Sequence, residues 1–233
     1  MTLPGEHSGV RPDGPLLPGL YPATVTALEG DPLGLQRVQV ALDWLLLDDD
    51  SGPPLAWAVP VSPYADSGQG VQLLPEIGST VVVGFLAGRA DFPYLLGGVW
   101  NGKAGMPEKP TDANDLRIVQ SRSGSRLEFD DTPGAAAVRL SAAGPPGQAV
   151  HSLVLDDAAR TVTVHSASGA TVTLTATGGV TIEAAATVEI TAASVTVNAA
   201  TSQFNGVVTC QTLIATGGGV VSPAYTPGAG NVW

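Results

Sequence analysis

The chain has 233 residues, with 21 acidic and 10 basic side chains, a net charge of −11 with neutral histidines, and a single cysteine, Cys210. That charge excludes nucleic acid as the main partner, because phosphate binding needs clustered Lys and Arg, and one cysteine excludes an intrachain disulfide framework. Glycine (29) and proline (19) are plentiful, which favours β-structure broken by many turns. The opening stretch MTLPGEHSGVRPDGPLLPG holds no apolar core behind basic residues, so no secretory signal is expected. No apolar run reaches the length of a membrane-spanning helix. The expectation is a protein made and assembled in the cytoplasm, which needs a machine to reach any other compartment.

In chain order, residues 1–18 read as a flexible Pro/Gly-rich arm and residues 19–101 as a compact β-domain. LYPATVTAL and RVQVAL alternate like strands and are split by the turn-rich EGDPLGLQ. LAWAVPVSP is a third strand. STVVVGFLAG is a fourth, continuous in apolar residues and therefore expected to be buried on both faces. RADFPYLLGGVW supplies a fifth. Five short strands with these loops predict a small Greek-key barrel of the OB type. Residues 102–115 form a linker, a repeat region runs from 116 to 221, and residues 222–233, SPAYTPGAGNVW, break the repeat.

The repeat decides the second half. Val180, Ile182, Val188 and Ile190 are all even-numbered, while Thr181, Glu183, Thr187, Glu189 and Thr191 lie between them. Alternation at period two is strand, and at a helical period the same residues scatter. Apolar pairs start at Val172 (with Leu174), Val180 (Ile182), Val188 (Ile190) and Val195 (Val197), in steps of 8, 8 and 7. Looser copies stand at Val138/Leu140, Leu153/Leu155 and Val162/Val164. A fixed short period marks a repeat architecture. The odd last step flips the parity of the pair, so a bulge or corner is expected near Ala193–Ser194. Such a sheet would leave an apolar face and its edges uncovered. No second apolar layer exists in the chain, so the eight residues from Val172 to Val197 are predicted to form the core of a homotrimer around one axis. The bland alternative, a single-chain solenoid, suffers from a thin inward layer and short coils.

Candidate chemistry is sparse. Glu128, Asp130 and Asp131 cluster, as do Asp156 and Asp157. Paired carboxylates can hydrolyse glycosides, but charged turns of a repeating sheet explain them with less. Asp48, Asp49 and Asp50 are contiguous in a loop, which suits a solvated tip better than a calcium site. Ser67 sits in no nucleophile setting, and His151 and His165 read as surface strand residues. An OB barrel can bind single strands, but residues 19–101 hold nine acidic and two basic side chains, a net of −7. Neither cofactor nor metal is expected. From Ile190 to Trp233, 44 residues carry no charge, which favours association over a solvated monomer.

These residues carry a resemblance. GLYPATVTALEGDPLGLQRVQVALDW, followed by WAVPVSPYADSGQGVQLLPEIGSTVVVGFLAGRADFPYLLGGVWNG, resembles the phage baseplate assembly protein V family, the OB module of contractile-tail spikes shared with type VI secretion spikes. VQSRSGSRLEFDD resembles the entry into that family's β-helix. The resemblance implies an all-β fold, with an N-terminal OB barrel followed by an intertwined trimeric β-helix over roughly residues 19–221. It implies a structural, non-enzymatic spike of a phage tail, a tailocin or an extracellular injection system. Its partners would be a hub or tube-initiator protein at the barrel end, a PAAR-type cap at the tip, and transiently a target membrane. Tyr225, Pro227, Val232 and Trp233 are the expected cap-docking residues. Departures are Leu35-Gln36-Arg37-Val38 where relatives read Gly-Arg-Val, no stretch like the type VI hub domain or a lysozyme insert, and no His-x-His pair for tip iron. The alternative function is a β-helical glycan-binding or envelope-degrading tail protein. One aromatic, Phe204, between Phe129 and Tyr225 disfavours it.

Overall fold

Alternation of branched apolar and polar residues builds the first half of the chain. The computed structural model describes residues 16–45, 52–102, 104–145, 148 and 150–217. Strand β1 (Leu20–Ala27) buries Ala23 and Val25, and β2 (Val38–Ala41) buries Val38 and Val40. Strand β3 (Leu55–Pro60) buries Ala58. A two-residue-a-side hairpin follows, β4 (Ala65–Asp66) and β5 (Gln69–Gly70). Strand β6 (Thr80–Phe85) buries Val81, Val83 and Phe85, and β7 (Pro93–Gly98) buries Leu95. The barrel closes in the order β1-β2-β3-β7-β6, with β3 and β7 parallel and every other pair antiparallel. Its core is a single cluster of aliphatic side chains and Phe85. Tyr21 packs on that cluster, stacked on Trp44 at 4.3 Å and edge-on to Phe85 at 5.8 Å.

Two readings of the barrel need correction. β6 is buried on one face, not two: Val81 and Val83 are fully enclosed while Val82 is half-buried. A closed barrel has an inside and an outside, so a continuous apolar run still alternates there. The β4–β5 hairpin was not expected from the sequence.

The second half is a seven-stranded antiparallel meander in which each strand pairs with its sequence neighbours. Its strands are β8 (Leu116–Gln120), β9 (Arg126–Asp130), β10 (Ala137–Ser141), β11 (Ser152–Asp156), β12 (Thr161–His165), β13 (Thr171–Leu174) and β14 (Val180–Glu183). Three of its hairpins share one turn. In Ser-Arg-Ser-Gly (121–124), Ser-Ala-Ser-Gly (166–169) and Thr-Ala-Thr-Gly (175–178), the glycine N–H donates to the carbonyl of the first residue at 3.0, 2.8 and 3.0 Å. The two hydroxyls of each turn stand 3.1, 2.8 and 3.1 Å apart. Each glycine has φ above 80°, which side chains with a Cβ rarely adopt.

Residues 186–217 belong to a separate unit. No strand forms among the described residues after Glu183, and every described residue from Ala176 onward is exposed. No ladder therefore runs through Ala193–Ser194 in a single chain, and the expected bulge has no register there to interrupt.

Candidate functional site

Strand register places two apolar ladders on one face of the meander. The first runs Val119, Leu127, Leu140, Leu153, Val164, Val172, Ile182 across the seven strands. The second runs Arg117, Phe129, Val138, Leu155, Val162, Leu174, Val180. Thirteen of these fourteen positions are apolar, and none is buried. Val172 pairs with Ile182 and Leu174 with Val180, so the four even-numbered residues share this face. Their exposure runs from 39% at Val172 to 62% at Val180. A fully buried side chain of this size contributes about 1.5–3 kcal/mol, so the uncovered face forgoes a stabilisation comparable to that of a whole domain.

Val188, Ile190, Val195 and Val197 lie in the second unit, each at least 55% exposed. Their segment has β-branched alternation in sequence, but its backbone forms no ladder among the described residues. Tyr225, Pro227, Val232 and Trp233 lie outside the described residues, as do His7 and Asp48–Asp50.

The opposite face of the meander is mixed, with Leu116, Ile118, Ala137 and Val154 among charged and hydroxyl side chains, and it begins with an ion-pair network. Arg139 donates to Glu128 at 3.0 Å and to Asp130 at 2.7 Å. Arg126 pairs with Glu128 and, at 2.9 Å, with Glu108 of the linker. Hydrogen bonds from Thr132, then the Arg139 guanidinium, lower the Asp130 carboxyl to about 2. Glu128 and Asp130 are therefore strand residues neutralised by arginines, not the charged turn expected of them and not a free carboxylate pair. Further along the same face stand Thr163, Thr173 and Thr181. Asp156 accepts the Ala159 N–H at 2.8 Å in a turn. His151 and His165 sit at one end of the β11–β12 hairpin. The Ala167 N–H reaches the His151 ring at 3.3 Å, and the His165 ring lies 3.2 Å from the Val150 carbonyl. Among the described residues no three His, Cys, Asp or Glu side chains gather to hold a metal ion.

In the barrel, Asp31 organises the β1–β2 loop. Its carboxylate accepts the N–H groups of Leu33 (3.1 Å), Leu35 (2.9 Å) and Arg37 (3.2 Å), and pairs with the Arg37 guanidinium at 2.6 Å. The guanidinium first, and the backbone donors after it, hold this carboxyl far below the usual range. The departure from a Gly-Arg-Val reading thus keeps its arginine for a structural task.

With this geometry in place, the comparisons with known proteins are informative. Residues 21–100 match the type VI secretion system/phage-baseplate injector OB domain. Residues 146–209 match the phage baseplate V C-terminal trimerisation domain. Together the two spans cover more than half of the chain. The chain belongs to the baseplate V injector-spike family. Val172 to Val197, the eight ladder and distal positions singled out by spacing, all fall inside the trimerisation span of this baseplate V chain. Type VI secretion system spike protein VgrG1b of Pseudomonas aeruginosa is 27% identical over 123 residues, covering 50% of this chain and 17% of the relative. Spike protein VgrG1a of the same organism is also 27% identical over 123 residues, covering 19% of its own length. Spike protein VgrG3 of Vibrio cholerae is 25% identical over 138 residues, covering 56% of this chain and 13% of the relative. The chain therefore spans less than a fifth of the length of the curated relatives it matches.

Proposed function

We propose that this baseplate V chain is a structural spike of a contractile injection machine, in a phage tail, a tailocin or an extracellular injection system. Three copies turn their ladder faces to a common axis, and residues 186–221 continue as an intertwined β-helix in which strands pair between chains. The observation that carries this reading is the pair of apolar ladders with no cover in their own chain. Hydrophobic burial and backbone pairing are both left incomplete in one copy, and three copies complete both. The role is mechanical: contraction drives a rigid trimeric needle against a target envelope, and no covalent step is assigned to any residue. A hub or tube-initiator protein at the barrel end complements this role. A PAAR-type cap on residues 222–233 would complete the tip, docked on Tyr225, Pro227, Val232 and Trp233.

Mass in solution tests the reading. Light scattering of the full chain at micromolar concentration is expected to report three times the single-chain mass. Gel mobility in SDS without boiling should report an oligomer, since intertwined strands unfold slowly. A monomer in both measurements would overturn the spike. Deleting residues 222–233 is expected to leave the trimer intact and abolish co-purification with the cap. Dissociation of the trimer would mean that the segment closes the needle itself.

A further inference from the structure

The barrel carries another uncovered surface, separate from its core and from the ladders, in which exposed apolar side chains stand among uncharged polar ones. A groove of about 1270 Å³ lies between the segment from Pro60 to Thr80 and the end of β7. Leu73, Ile77 and Trp100 line it and are 71%, 63% and 61% exposed. Its wall is a built hairpin. The Ser62 hydroxyl lies 2.9 Å from the Tyr64 carbonyl and 2.8 Å from that of Val71, and the Val71 N–H donates to the Tyr64 carbonyl at 3.0 Å. Gly70 has φ of 144°, and a Cβ there would lie 2.6 Å from the Tyr64 carbonyl oxygen, so a glycine is required. A preformed wall that exposes Leu73, Ile77 and Trp100 among uncharged polar groups has the mixed composition of an interface.

Two features select its occupant. The groove ends at Trp100, Asn101 and Ala104, where the chain leaves the barrel for the meander. Beside it, Arg122 of the β8–β9 turn pairs with Glu76 at 2.9 Å. The groove is therefore continuous with the root of the sheet that leads into the trimerisation domain. Charge agrees: among the described residues that line it, Asp66 is the one acidic side chain and none is basic, whereas residues 19–101 carry a net of −7. Three barrels of one sign repel when gathered, and a charge-poor face lets them touch. We propose that this groove is the contact between neighbouring barrels, occupied by the barrel of a second copy of the chain. The proposal rests on the trimer reading above and adds a second interface to it.

The test uses the full chain. In a Cys210→Ser background, Leu73→Cys is labelled with benzophenone maleimide and irradiated. We expect covalent dimers whose linked peptide lies in residues 19–104 of another copy. Adducts confined to one chain, in a sample that scatters as a trimer, would overturn the barrel contact and leave the trimer standing. A monomer by scattering would overturn both. As a second measurement, Leu73→Glu with Ile77→Glu is expected to keep the trimer mass and to raise the radius of gyration by X-ray scattering as the barrels spread. An unchanged radius of gyration would overturn the proposal.

Discussion

The barrel and the meander alternate with the same period and draw on the same valines, leucines and threonines. Yet among the described residues eleven of the twelve buried apolar side chains lie in the barrel, and the meander has only Ala137. The difference is closure. A sheet curled on itself covers its apolar face with its own far wall, so one chain suffices. A meander that stays open has a good register and good turns and still no inside. Sequence period alone specifies the strand and its apolar side, and topology decides whether that side meets the same chain or another.

The sharpest way to break this comparison is to charge the two faces of the meander. Ile182→Asp or Val172→Asp is expected to abolish the trimer, because three unpaired carboxylates would meet at one layer. Thr181→Asp, on the other face, is expected to leave it intact. Light scattering decides, and equal loss in all three variants would show that the ladder face is not the assembly face. Next in size, Val83→Ala opens a cavity inside the barrel. A cost of about 2 kcal/mol is expected, lowering the barrel's melting midpoint by roughly 10 °C with no change in trimer mass. Calorimetry should also separate the two regions: the transition of the spike is expected to rise with protein concentration more steeply than that of the barrel, whose core lies within one chain.

Acid titration sharpens the comparison within the barrel. Asp31 is depressed in the fold below its ordinary 3.8, chiefly by Arg37. The stabilisation it gives is therefore fully present above that value and is lost as pH falls below it, when the unfolded chain binds the proton first. The barrel midpoint is expected to be flat towards neutral pH and to fall in acid, and Asp31→Asn should remove that part of the slope. Asp130, at about 2, predicts the same sign for the meander. The smallest effect is expected at Arg122→Ala. Its pair with Glu76 is solvent-exposed on both sides, at 82% and 57%. The change should cost less than about 1 kcal/mol by denaturant unfolding.

Much of this architecture was legible in the sequence because period two is a local property. The five barrel strands and the shared face of Val172, Leu174, Val180 and Ile182 all follow from spacing. The looser pairs at Val138/Leu140, Leu153/Leu155 and Val162/Val164 also fall in register on that face. What escaped was non-local. The single buried face of β6 depends on closure. The Arg126–Glu128–Arg139 network depends on which strands stand side by side, so its carboxylates read as turn residues. The repeated Ser-x-Ser-Gly and Thr-x-Thr-Gly turns were visible as text. They could have fixed three hairpins, had the glycine's positive φ been weighed with the two hydroxyls. The charge-poor groove of the barrel left no trace in periodicity, because its wall is mostly loop.

The ladders have one further consequence. Adjacent strands in a sheet are about 4.8 Å apart, so each strand added to the meander lengthens both ladders by that amount and leaves the barrel untouched. Reach is therefore a counted quantity. Duplicating or deleting one hairpin changes it by two strand widths, keeps every remaining side chain on its face, and demands no new packing solution. In the trimer proposed above, copying a short stretch of the gene would lengthen the assembly in fixed steps.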